Sequence, residues 1–172
     1  TSYSLDPKAG LLYIPGGNPA PDFVKSVRPG DNLFAGSVVV LDAKTGKYKH
    51  HFPFVPHDFH DWDMSAAPAL VTTKGGRYEM AVIGKNGLLY GVDLRNNKRV
   101  FETPVTTRSN TNAPLTKKGT TFCPGASGGA EWNGPAYSPD TNLIYTGEAD
   151  WCSIVTIQGD DDVKAVDESQ TW

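Results

Sequence analysis

The stretch VPHDFHDWDMS, residues 55–65, places three aspartates and two histidines in eleven positions, with Trp62 between two of the acids. Carboxylates and amides on turns are the oxygen donors that hard divalent cations take. A carboxylate beside such a cation, held by a bulky aromatic neighbour, is also placed to act as a general base. On residue types alone a second reading stands beside this one: a solvated acidic loop whose histidines cap strand ends. His57 and His60 add a His-x-x-His pattern, but the helix and the glutamate spacing of the common zinc hydrolases are absent, so zinc chemistry ranks below both.

Any such loop needs a scaffold, and the composition bounds it. The chain has 172 residues, 38% apolar and 20% charged, which reads as a soluble globular domain or a piece of something larger. A formal net charge of −3 and the lack of a Lys/Arg stripe leave no basic field for nucleic acid. The longest central apolar run, Val38 to Leu41, is far short of the roughly 20 residues that a membrane-spanning helix needs. The start, TSYSLDPKAG, shows no signal peptide, so either a leader has been removed or these residues lie inside a longer chain.

Eighteen glycines and thirteen prolines, spread along the chain, imply frequent turns. Between them sit short runs rich in Val, Ile, Leu, Tyr and Phe at 10–15, 37–42, 78–84, 87–93, 142–148 and 152–157, which read as strands. No amphipathic helix of three turns is visible. The fold class is therefore all-β. The segment Val40 to Lys47 matches Gly91 to Lys98 in its strand, Asp-led turn and lysine, a separation of 51 residues between Asp42 and Asp93. Leu-(Leu/Ile)-Tyr recurs at 11–13, 88–90 and 143–145, and similar turns stand at Tyr3 to Pro7 and Tyr137 to Asp140. A period near 50 with several strands per unit fits β-propeller blades of four-stranded antiparallel sheets better than a sandwich. The expected division is a single partial propeller with blades at about 1–50, 51–101 and 102–158 and an acidic tail at 159–172. Roughly three blades cannot close a ring, which normally needs at least about four. The expectation is a fragment of a larger ring, or a chain that associates with copies of itself.

The motifs GGNPAPDF (16–23), RPGDNLF (28–34), SVVVLDAKTGK (37–47), VPHDFHDWD (55–63), GKNGLLYGVD (84–93), FCPGASGG (122–129), EWNGPAYSP (131–139) and ADWC (149–152) together resemble, in order and spacing, the pyrroloquinoline quinone (PQQ) dependent alcohol dehydrogenases. The resemblance runs from about residue 3 to residue 158. It implies three blades of an eight-bladed propeller, with PQQ near the axis and a calcium or lanthanide ion beside it. It assigns Asn18 as a metal ligand, Asp63 as metal ligand and catalytic base, and Lys85 as the cation that reaches the quinone oxygens. Trp132 and Asn133 are cofactor-side candidates. Where lanthanide-using relatives carry a second aspartate, this sequence has Ser65, and one charge fewer favours Ca²⁺ over a trivalent ion.

The resemblance further implies a disulfide between Cys123 and Cys152, hence an oxidising compartment, the periplasm. It implies a small alcohol as substrate and an electron acceptor such as a cytochrome c. The sequence also departs from the pattern. The adjacent-cysteine disulfide and the glutamate metal ligand of the family are not in this chain, and no Cys-x-x-Cys-His haem site is present. Where relatives place tryptophan after the turn, His50 and Phe101 stand in the two repeats. Two functional classes follow: a segment of a periplasmic quinoprotein alcohol dehydrogenase oxidising alcohols to aldehydes, or a catalytically inactive propeller fragment serving as a binding or structural module.

Overall fold

The computed structural model describes residues 2–158, so the acidic tail at 159–172 lies outside the described residues. Two four-stranded antiparallel sheets dominate. The first holds β1 (Ser4–Asp6), β2 (Leu11–Pro15), β3 (Ser37–Asp42) and β4 (Tyr48–Pro53), in that order. The second holds β5 (Ala69–Thr72), β6 (Tyr78–Ile83), β7 (Leu88–Asp93) and β8 (Lys98–Pro104), again in sequence order. Two smaller pairs follow: β9 (Thr120–Phe122) with β12 (Ser153–Val155), and β10 (Ala136–Ser138) with β11 (Leu143–Tyr145). The only helical element among the described residues is a 3₁₀ turn at Lys25–Val27. None of their helices is long and apolar enough to cross a membrane.

The repeat is built into the register. A β-bulge falls between Val40 and Leu41 in the first sheet and between Gly91 and Val92 in the second, again 51 residues apart. The turns share one design. Asp6, Asp42 and Asp93 each accept backbone N–H groups two or three residues on, and Gly10, Gly46 and Asn97, each four residues after its aspartate, take the left-handed conformation. Such a turn needs a residue tolerant of positive φ, which glycine and asparagine are. Ser138 and Asn142 repeat the same spacing between β10 and β11. The hairpin β10–β11 thus matches β1–β2 at a constant offset. The Leu-Leu-Tyr at 88–90 differs: it lies on β7, the third strand of its sheet, where 11–13 lies on the second.

The core forms from the inward faces of the central strands. Val38, Val40, Met80, Val82, Tyr90 and Val92 are buried together with Phe52, Phe54, Trp62, Met64 and Phe122. Each such side chain contributes about 1.5–3 kcal/mol on burial. In the second repeat Phe101 lies over Gly91, where a Cβ would sit 2.1 Å from the ring. In the first repeat His50 faces Val40 across the ladder and packs edge-on against Phe52.

The first strands of these units meet: β5 contacts both β1 and β10. The Tyr78 hydroxyl on β6 donates to Asp6 of β1 at 2.8 Å, tying the two sheets. Burial alone would raise the Asp6 carboxyl, but the Ala9 N–H, the Tyr78 hydroxyl and the Lys8 N–H outweigh it and hold it below its ordinary value. A depressed folded-state pKa gives stability that is present above the unfolded value, about 4, and lost as pH falls through the folded one. Tyr78→Phe is therefore expected to lower stability by about 1 kcal/mol at neutral pH. Urea unfolding across the acid range should show the gap to the unsubstituted chain narrowing once Asp6 is protonated.

Candidate functional site

Lys85 follows β6 at the start of the tight connection to β7 and is only 4% exposed. Its Nζ lies 2.8 Å from Asp63 Oδ2, 3.0 Å from Asp61 Oδ2 and 3.4 Å from Glu131 Oε1. Burial on its own opposes the ammonium charge, but the hydrogen bonds to Asp63 and Asp61 and their charges outweigh it, and the pKa of Lys85 is raised above its ordinary value. The Asp61 carboxyl is pushed up by burial, against the pull of Lys85 and with the added repulsion of Asp63 and Asp22.

Asp63 is held from its other oxygen. Oδ1 accepts the backbone N–H of Asn18 at 2.8 Å, which joins the connection between β2 and β3 to the one between β4 and β5. The backbone repeats this tie: Lys85 N–H donates to the Asp63 carbonyl, and Met64 N–H donates to Gly16 O. The Asn18 side-chain nitrogen is engaged by Asp22 Oδ1 at 2.8 Å, leaving the amide oxygen as the group available to a cation. The structure thus brings together Asn18, Asp63 and Lys85. It leaves Trp132, 68% exposed, and Asn133, whose side chain donates to Gly147 O, outside that network.

Sequence reasoning passed over Glu131 and gave Asp61 no role. Each stands one or two positions from a residue that was singled out, but only the fold shows that their carboxylates converge on one ammonium. Ser65 is buried and its hydroxyl donates to the Glu131 carbonyl, which docks the Glu131 segment on this loop. His57 and His60 engage separate partners, the Lys25 carbonyl and Asp58.

Cys123 and Cys152 form a disulfide across 29 residues, with Cα atoms 4.4 Å apart, at the end of the β9–β12 pair. This closure holds residues 123–131 against Lys85. Pro124 O accepts Trp62 Nε1–H at 3.1 Å, and Ala130 N–H donates to Gly84 O. Gly129, at φ +72, makes the close approach: a Cβ there would lie 2.5 Å from the Lys85 carbonyl.

Among the described residues no three His, Cys, Asp or Glu side chains converge as a complete metal set; the carboxylates converge on Lys85 instead. The donor chemistry nonetheless fits part of a hard-cation site, since a carboxylate and an amide oxygen are the ligands calcium takes, six to eight in number. The Cys123→Ser/Cys152→Ser chain is expected to lose about 3–4 kcal/mol, read by urea unfolding without reductant; a loss near zero would mean that the closed loop carries no constraint.

A model of the family described as "PQQ: Glucose/ethanol/alcohol dehydrogenase, beta-propeller domain" matches residues 1–112. The dehydrogenase subunit of alcohol dehydrogenase (quinone) from Gluconobacter oxydans is 32% identical over 167 residues, 84% of this chain and 22% of that protein. The quinoprotein alcohol dehydrogenase PedH of Pseudomonas putida is 31% identical over 172 residues, 85% of this chain and 28% of that protein. Among solved structures, the quinohemoprotein alcohol dehydrogenase of Comamonas testosteroni superposes with a TM-score of 0.73 at 27% identity, covering 84% of this chain and 24% of that one. A europium-containing methanol dehydrogenase superposes with a TM-score of 0.69 at 25% identity, covering 83% and 28%. The chain spans between 22% and 28% of the length of these relatives. With the register of its repeats and the match over residues 1–112, the chain belongs to the PQQ-dependent glucose/ethanol/alcohol dehydrogenase β-propeller family.

Proposed function

We propose that this chain carries one wall of the active site of a quinoprotein alcohol dehydrogenase that oxidises small alcohols to aldehydes in the periplasm. The observation that carries the reading is the contact of Lys85 with Asp63 while Asp63 is anchored on Asn18. In this reading the sheets β1–β4 and β5–β8 are two blades of an eight-bladed ring, and β10–β11 opens the third. The remaining blades, or copies of this chain, supply the other walls, and an acceptor such as a cytochrome c takes the electrons onward. The disulfide agrees with an oxidising compartment.

Asn18, through its amide oxygen, and Asp63 would hold the cation, and Lys85 would face the quinone. When bound, PQQ supplies the quinone that takes up the alcohol's two electrons, and the cation supplies Lewis-acid polarisation. Asp63 accepts the hydroxyl proton of the alcohol through a carboxylate oxygen. Lys85 provides fixed positive charge in a low-dielectric setting, where it stabilises developing negative charge at no reorganisation cost. Asp61 and Glu131 hold the ammonium in place. Ca²⁺ is the preferred ion because Ser65 adds no charge and is committed to Glu131.

Equilibrium titration of the chain with PQQ tests this directly, first with Ca²⁺ and then with a chelator. Binding should require the ion and weaken by about tenfold or more in Asp63→Asn, the equivalent of roughly 1.4 kcal/mol. Binding that is indifferent to both ion and substitution would contradict the assignment of Asn18 and Asp63. No binding in either condition would favour the structural or binding module for the chain as it stands.

A further inference from the structure

Residues 54–68, which carry Asp61 and Asp63, form no strand or helix, yet they hold two carboxylates on one ammonium. What fixes them lies on the opposite face of the loop. Asp58, Phe59, His60, Trp62 and Met64 are buried, while Asp61 and Asp63 turn to Lys85. Asp61 takes the left-handed conformation, at φ +65, where the chain turns between the two sets.

The inward set forms a connected column. Asp58, 2% exposed, accepts the His60 backbone N–H at 3.1 Å and its ring Nδ1–H at 3.2 Å through Oδ1, and the Trp62 N–H at 2.9 Å through Oδ2. Arg28 donates to the Asp58 carbonyl at 2.8 Å. The His60 ring stacks on Trp62, centroids 3.9 Å apart and planes 13° from parallel. The Arg108 guanidinium lies 5.6 Å from the Trp62 ring centre and donates to the Asn86 carbonyl, next in sequence to Lys85. The column therefore runs from the loop that carries Asp63 to the turn that carries Lys85.

Resting on the reading of Asp63 and Lys85 as the reacting pair, we propose that His60, oriented by Asp58, is a positioning residue that sets Asp63 against Lys85. A carboxylate only accepts, so the hydrogen on Nδ1 is fixed by Asp58. His60 Nε2 is buried with no hydrogen-bond partner, and a hydrogen there would be an unpaired donor. The ring is thus held in one tautomer and one orientation. Neither feature is needed merely to fill space, which a phenyl ring would do. The bond to Asp58 fixes the carboxylate whose other oxygen holds the Trp62 N–H, and so fixes the loop up to the next residue, Asp63.

Two variants of the full chain separate bond from bulk. His60→Asn keeps an N–H for Asp58 and loses the ring; His60→Phe keeps the ring and loses the N–H. The probe is the Lys85 ammonium observed by ¹⁵N NMR, read as its hydrogen-exchange rate with water, with the amides of β6 and β7 as the control for the sheet. Exchange should stay within about twofold of the unsubstituted chain in His60→Asn and accelerate about tenfold in His60→Phe, with sheet amides unchanged in both. Unaltered Lys85 exchange in a folded His60→Phe chain would overturn the proposal. Where that variant does not fold, His60→Asn decides alone: retained protection supports the role of the bond and lost protection overturns it. A failed PQQ titration beside this exchange pattern would remove the reaction and leave the positioning standing.

Discussion

A single buried ammonium organises this chain. Lys85 is almost wholly withdrawn from solvent, and a lone charge in that setting is tolerable only with close counter-charges and filled hydrogen bonds. Asp63, Asp61 and Glu131 provide them from two connections, one before β5 and one before β10. The price of the arrangement is burial of the acids and, to a lesser degree, repulsion among them, which together raise the Asp61 carboxyl. Each segment must therefore be delivered accurately, and the structure does so with independent ties: Asn18 on Asp63, Ser65 on Glu131, and the disulfide behind Pro124.

The scaffold that delivers them is repetitive and therefore strict. Turns capped by Asp6, Asp42 and Asp93 set the strand exits, and bulges fall at matching positions of the two sheets. The residues of the proposed site sit on the connections between strands. Residues 16–36, 54–68, 84–87, 105–119 and 123–135 are such connections, and all five contribute to the network around Asp63 and Lys85.

Much of the fold was legible in the sequence because the central strands are apolar. β2, β3, β6, β7, β11 and β12 were all visible as hydrophobic runs between turn residues. β4 and β8 were not, since their sequences YKHHFP and KRVFETP belong to outer strands that face solvent and carry charge. β1, β5, β9 and β10 were not read as strands: SLD, TTF and AYS hold too few apolar residues to stand out as a run, and ALVT directly follows a proline. Asn18, Asp63 and Lys85 were named from motifs, and the fold brings them together. Trp132 and Asn133 belong to the same ordered motif, but only their neighbour Glu131 reaches Lys85, a matter of side-chain direction that no spacing encodes. The inward column of Asp58, His60 and Trp62 was hidden for the same reason: its residues looked like members of one acidic loop until alternate positions faced opposite ways.

Asp63 and Lys85 act on one another as a buried pair and are not merely close. A double-mutant cycle with Asp63→Asn and Lys85→Met, followed by urea unfolding at neutral pH, measures that interaction directly. The expected coupling energy is about 2 kcal/mol or more. Additivity within about 0.5 kcal/mol would contradict it, because the two residues would then contribute independently and the carboxylate cluster would not depend on its ammonium.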